Sequence, residues 1–211
     1  RADCFPLPLV VEEHFSEADL LAVELDPSRP AVSAAMAQFA SSGERLKPHL
    51  NAAEWARLRA LLAPIGMHGA MLDSLGPTFA SIMVSLASGH QAGLSAELGI
   101  DLHLIGRARE SGKPVVELET VERQIEALSF GTKEDHLESF RQTFRAAEDG
   151  SLRSLLEAIV KAWKVGDARR LADTLLRAEA GDFSSRAAMK ELLDRRNQEM
   201  TDSIVRLARG G

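Results

Sequence analysis

Four residues of this 211-residue chain have the types and positions to do chemistry together. Glu24 lies in the run Asp19-Leu20-Leu21-Ala22-Val23-Glu24-Leu25-Asp26, and Glu119 ends the run Lys113-Pro114-Val115-Val116-Glu117-Leu118-Glu119. Carboxylates so placed can take up a proton or hold a divalent cation. Arg196 and Asn197 stand side by side near the end of the sequence. A guanidinium grips a carboxylate in bidentate fashion. Asn197 recurs with Leu193, Met200 and Ile204 at helical spacing, so a buried amide in need of partners is expected there. The functional reading is an Arg/Asn pair reaching toward the two acids. The structural alternative is an ion pair that ties the last helix to a sheet, with both acids serving as strand ends.

The elements that must position these residues follow from hydrophobic patterning. A short apolar run between helical segments reads as a buried parallel strand. Residues 19–25 and 113–119 fit that description. Ligands gather beyond the carboxyl ends of such strands in open α/β sheets. A helix is expected over residues 7–18, and another begins after Pro27, capped by Ser28 or Ser33. Asn51 caps a helix with Trp55, Leu58, Leu61 and Leu62 on its apolar side, which stops at Pro64. The uncharged stretch from Ser74 to Ala96 is a buried helix starting at Pro77, and Asp101 caps the next. Everything after Thr120 reads as helix. Junctions fall at Gly150-Ser151, Gly166-Asp167 and Gly181-Asp182, and a strong apolar stripe runs from Leu152 to Trp163. The expected fold is therefore α/β and helix-dominated, with a small parallel sheet flanked by about eight helices. Two strands do not make an independently stable sheet. Their unpaired edges invite association, so a homo-oligomer is expected.

Composition excludes several classes. A net charge of −6, no tyrosine and 5% aromatics argue against a nucleic-acid-binding surface. Cys4 is the only cysteine, which rules out an internal disulfide and a Cys-rich zinc site. No segment is long and apolar enough to span a bilayer, and the opening residues Arg1 to Pro6 lack the pattern of a signal peptide. The six histidines include no H-E-x-x-H pair, although His68 and His103 are within reach of the strand ends in principle. Serine-nucleophile and phosphate-loop motifs are absent.

The order of short motifs resembles the TraB/PrgY/GumN family. The motifs are Phe5-Pro6-Leu7-Pro8, Leu21-Ala22-Val23-Glu24, Gly99-Ile100-Asp101, Gly112-Lys113-Pro114 through Leu118-Glu119-Thr120, Gln124 and Arg196-Asn197. The same superfamily includes the TIKI metalloproteases, with more distant erythromycin-esterase and ChaN-like relatives. The resemblance covers nearly the whole chain as a single domain, residues 1–211. It implies a site of strand-end glutamates, an arginine and two G-x-x-H motifs around a divalent metal, in a bacterial envelope or periplasmic setting. Glu24, Glu119, Arg196 and Asn197 match positions of that site, with Glu24 and Glu119 as metal ligands. The histidine motifs do not carry over, because Gly66 and His68 are one residue too close and Gly99 and His103 one too far. The resemblance thus leads us to expect the helix-rich middle of such a protein, with the motif-bearing strands outside it.

Two functions are expected to compete. One is a divalent-metal-dependent, peptidase-like hydrolase, inactive or incomplete as this chain. In it Glu24 and a histidine hold the metal, Glu119 is a ligand or general base, and Arg196 steadies an oxyanion. The other is a non-catalytic protein that binds a ligand or regulatory peptide on the same scaffold, with the Ser74–Ala96 helix lining a pocket or packing the core.

Overall fold

A computed structural model describes residues 2–181 and 194–210. They divide into two compact units. The first comprises the described residues of Arg1–Ala37, Ser95–Phe130 and Ala187–Gly211.

Its centre is a two-stranded parallel sheet of β1 (Leu21–Val23) and β2 (Val115–Glu117). Leu21 lies opposite Val115, Ala22 opposite Val116, and Val23 opposite Glu117. Branched side chains suit such strands, and parallel pairing demands a long crossover, which the intervening helices supply. The α/β, helix-dominated architecture with a small parallel sheet is as expected. The strands are shorter than 19–25 and 113–119. Pro114 has no amide hydrogen to donate, and the chain turns into a helix directly after Glu119. They are also less buried than expected: Val23 is buried, but Ala22 is exposed and β2 is half-buried throughout. Each strand has one partner among the described residues, so much of the sheet lacks neighbours.

Helix α1 (Leu9–Glu17) leads into β1, and α6 (Ile100–Glu110) packs on both strands, burying Ile105 and Ala108. The cap of α6 is Gly99, whose extended backbone suits the position, and Asp101 sits inside the first turn instead. There it still faces the positive end of the helix dipole. Helix α2 (Pro30–Ala40) likewise begins at Pro30, whose φ is preset for a first turn. Neither serine caps it in the expected way. Ser28 bonds Asp26, and Ser33 lies within the helix. Helices α7 (Val121–Leu128) and α11 (Arg196–Ala208) complete this unit.

The described residues of the second unit, Gln38–Leu94 with Gly131–Arg186, are helical. The unit contains α3 (Ala52–Leu62), α4 (Gly69–Asp73), α5 (Pro77–Gln91), α8 (Lys133–Glu148), α9 (Ser151–Lys164) and α10 (Ala168–Gly181). Eleven α-helices are thus described, against about eight expected. The short α4 and the early break after α7 account for part of the difference. Helix α5 packs against α3, α8 and α9, burying Ala80, Val84 and Ala87. Small residues let the neighbouring helices approach closely, so the uncharged segment serves the core. Leu58, Leu62, Phe140 and Phe144 fill the same core, with the two phenylalanine rings stacked 5.6 Å apart. Asn51 caps α3 as expected, accepting from the amides of Ala53 and Glu54, while the Glu54 carboxylate accepts from the Asn51 amide at 2.8 Å.

Candidate functional site

Parallel register brings the first two acids together. After β1 and β2 end, the backbone pairing continues: the Leu118 amide donates to the Val23 carbonyl at 2.8 Å, and the Glu119 amide to the Glu24 carbonyl at 3.0 Å. Glu24 and Glu119 are therefore neighbours at the carboxyl ends of adjacent strands. Immediately beyond, Thr120 caps α7 by accepting from the Arg123 amide at 3.2 Å, which places Arg123 and Gln124 in the first turn.

Helix α11 supplies the third member. Arg196 is its first residue, and its Nε and Nη2 donate to the two oxygens of Glu119 at 2.6 and 2.8 Å. Nη2 also donates to Glu24, whose same oxygen accepts from the Gln124 amide at 3.2 Å. The environments differ in a way that matters. The Glu119 side chain is 3% exposed and that of Arg196 15%, whereas Glu24 is 48% exposed. Glu119 is a buried anion neutralised by a forked contact. Glu24 is the acid that solvent or a ligand can reach. Hydrogen bonding to Glu119 raises the Arg196 guanidinium above its ordinary pKa, against the opposing effect of burial and with help from the Glu24 charge.

A second contact sets where Arg196 sits. Arg123, on α7, donates from Nε to Glu199 at 2.9 Å, one helical turn along from Arg196. The hydrogen bond from Arg123 holds the Glu199 carboxyl below its ordinary value even against burial, and Arg195 adds to it. The α7 to α11 tether therefore fixes the start of the helix beside the acids. Sequence reasoning passed over Arg123 and Glu199. The available signal was spacing: Glu199 shares a helix face with Arg195 and Arg196, and Arg123 falls one turn after the Thr120 cap.

Asn197 is not brought into this cluster. It is exposed, as is Ile204, so the expected apolar stripe of the last helix does not bury them. An exposed amide is satisfied by water and needs no partner. Leu193, the first member of the expected stripe, and Asp182 lie outside the described residues. His103 packs its ring on Phe5, 4.6 Å between centroids, and His68 precedes α4 in the second unit, at its N-cap position. His103 is not part of the cluster.

Whether these residues suit a divalent ion is decided by the donor set. A catalytic zinc takes three protein ligands and hard cations take more. Here two carboxylates share one guanidinium, and among the described residues no group of three or more His, Cys, Asp and Glu side chains is arranged to hold a metal. By themselves Glu24 and Glu119 supply fewer donors than such a centre takes. The expected result is that this chain retains far less than one equivalent of zinc on purification, by atomic absorption, and that Glu24→Ala leaves the value unchanged. Stoichiometric zinc in the parent, lost in Glu24→Ala, would contradict it.

A neighbouring charge network shapes the loop after β1. Asp26 accepts from the Ser28 amide and hydroxyl at 3.0 and 2.6 Å and pairs with Arg109, its side chain 3% exposed. Burial pushes its carboxyl up, but the Ser28 hydrogen bonds with Arg109 and Arg29 outweigh this and hold it below the ordinary value. A carboxyl with a depressed folded pKa stabilises above its unfolded pKa, and that stability is lost as pH falls through the folded pKa. Asp26→Asn is therefore expected to lower urea stability at neutral pH, with parent and variant converging as pH falls through the lowered folded pKa of Asp26. A gap unchanged between neutral and acid pH would refute this.

Three comparisons complete the description. The chain is 29% identical over 128 residues to the uncharacterized protein YbaP of Escherichia coli (strain K12), a match covering 60% of this chain and 47% of that protein. YbaP of Shigella flexneri matches equally. The chain thus spans about half the length of the curated relatives it matches. No solved structure matches. The family model for TraB/PrgY/gumN matches residues 1–211, the whole chain, and with the shared motifs it follows that this protein belongs to the TraB/PrgY/gumN family.

Proposed function

We propose that the chain carries the acid and guanidinium part of a hydrolytic site for peptide-like substrates. The observation supporting this is the half-exposed Glu24 beside a locked Arg196, at the carboxyl ends of two parallel strands. Glu119 positions the guanidinium through its forked contact. The Nη1 hydrogens of Arg196 have no partner among the described residues, so they are free to donate to a developing oxyanion. Glu24 is accessible to accept a proton. Family membership and the resemblance to metalloproteases of the same superfamily favour peptide bonds over other substrates. Glu24 is the one described group placed to take a proton from the attacking water, and one of its oxygens is already engaged, so the chain alone is expected to turn over peptides poorly.

The test is peptide hydrolysis by the full-length gene product. Arg196→Lys keeps the charge but loses the fork, and is expected to lower kcat by about 10²-fold or more with little change in KM. Undiminished turnover in folded Arg196→Lys and Glu24→Gln proteins would overturn the reading. One observation favours a second reading, a protein that binds a peptide or other ligand without cleaving it: both Glu119 oxygens and one Glu24 oxygen are already engaged. Saturable peptide binding by calorimetry, with no product formed, would select it.

A further inference from the structure

A second feature, beside β2 and the loop after β1, has no part in that chemistry. Asp26, Arg29, Arg109, Lys113, Val115 and Glu117 line a cleft of about 380 Å³. It lies two residues along the chain from each acid of the clamp, at Asp26 after Glu24 and at Glu117 before Glu119. Three of its side chains are cationic and two are acidic, an excess of positive charge in a chain whose net charge is −6.

The acids are largely committed. Asp26 is buried and is neutralised by Arg109, and Glu117 accepts from the Asp26 amide at 3.0 Å and pairs with Arg29. The Lys113 ammonium bonds the Ala18 carbonyl and lies over the Phe15 ring. The two guanidiniums are different. Each is 51% exposed. Arg29 uses only Nη1, on Glu117, and Arg109 uses Nη1 on Ser28 and Nη2 on Asp26. The other N–H groups of both have no partner among the described residues. Two anchored guanidiniums with free donors in one concave site recognise oxygen anions, because their planar forks match carboxylate and phosphate geometry.

We propose that this cleft is a binding site for a small oxyanion, a free carboxylate or a phosphate, held by Arg29 and Arg109. Glu117 is its built-in competitor, since it occupies a donor of Arg29 that the ligand would otherwise use. That arrangement gives substitutions of opposite sign. Glu117→Gln preserves the acceptor for the Asp26 amide while removing the competing charge, and is expected to tighten binding about two- to fivefold. Arg29→Gln is expected to weaken it by a similar factor of about two to five. Arg109 is left intact because it neutralises a buried acid.

The experiment is calorimetric titration of the chain at low ionic strength with three probes: inorganic phosphate, N-acetyl-dialanine with a free carboxylate, and the same dipeptide as its amide. Circular dichroism checks that each variant is folded. Binding of phosphate, of the free acid or of both, with the amide inert and the two variants shifting affinity in opposite directions, is the expected result. Whichever probe binds more tightly identifies the source of the oxyanion. Absence of saturable binding to either anion would overturn the proposal. So would equal binding of acid and amide, or affinities that Glu117→Gln and Arg29→Gln leave unchanged. No hydrolysis is measured, so the outcome is independent of the reading of the Glu24–Arg196 cluster.

Discussion

Replacing Arg196 by methionine is expected to cost about 3–5 kcal/mol of stability, because it leaves the Glu119 carboxylate buried with no counter-charge. The size of the effect comes from desolvation. Glu119 is 3% exposed, and both of its oxygens receive hydrogen bonds from this one side chain, at 2.6 and 2.8 Å. Exposed ion pairs contribute only about 0–1 kcal/mol. The Arg123–Glu199 and Arg195–Glu199 contacts belong nearer to that class, with Glu199 44% exposed. Glu24→Gln should likewise be mild, because Glu24 is 48% exposed and water replaces what is lost. The measurement is urea unfolding followed by far-ultraviolet circular dichroism and by amide exchange in β1 and β2. Both tryptophans, Trp55 and Trp163, lie in the second unit, so amide exchange in the strands is the readout local to this cluster. A loss below about 1 kcal/mol for Arg196→Met would mean that Glu119 is solvated after all.

Phe140→Ala is expected to be equally costly in the second unit, at about 3–5 kcal/mol. Phe140 is fully buried, stacks on Phe144, and shares its core with Leu58, Leu62, Val84 and Leu137. Truncation removes the transfer free energy of the ring and leaves a cavity that rigid helices close only in part. Here the two tryptophans are useful, because Trp55 packs against this core and Trp163 sits on α9. Their emission in urea should show an earlier transition for the variant, while Phe140→Leu, which keeps most of the volume, should shift it far less. Equal shifts for the two substitutions would show that volume is not what Phe140 contributes.

How much of this was legible beforehand depends on whether the controlling interaction is local. The Asn51 cap, the helix stop near Pro64 and the Pro77 start are set by residues within one turn, and each falls as its sequence implies. The pairing of the two strands was also readable. Brief apolar runs flanked by helices have few alternatives to a parallel pair, and parallel pairing aligns the acids that follow them. The pairing of Arg196 with Glu119 was readable as chemistry: an arginine on the last helix and an acid at the end of a strand can neutralise each other.

The misread features are those settled by tertiary neighbours. Asn197 has the spacing of a buried residue, yet what covers each face of α11 is not a property of that helix, and Asn197 is exposed. Asp101 is a good capping residue, but Gly99 reaches the extended cap conformation two residues earlier, and the acid falls inside the first turn. Arg123 was passed over because its partner, Glu199, is 76 residues away. The Arg29–Arg109 cleft draws its lining from the loop after β1, from α6 and from β2, and no local pattern foretells that meeting.

The most direct check on the central claim, that Arg196 bridges the acids ending the two strands, is the coupling free energy between positions 119 and 196. It comes from the unfolding stabilities of the parent, Glu119→Gln, Arg196→Met and the double variant. A bidentate, largely desolvated pair predicts a coupling of about 2 kcal/mol or more, with the double variant more stable than the sum of its parts. Additivity within about 0.5 kcal/mol would show that the two side chains do not meet.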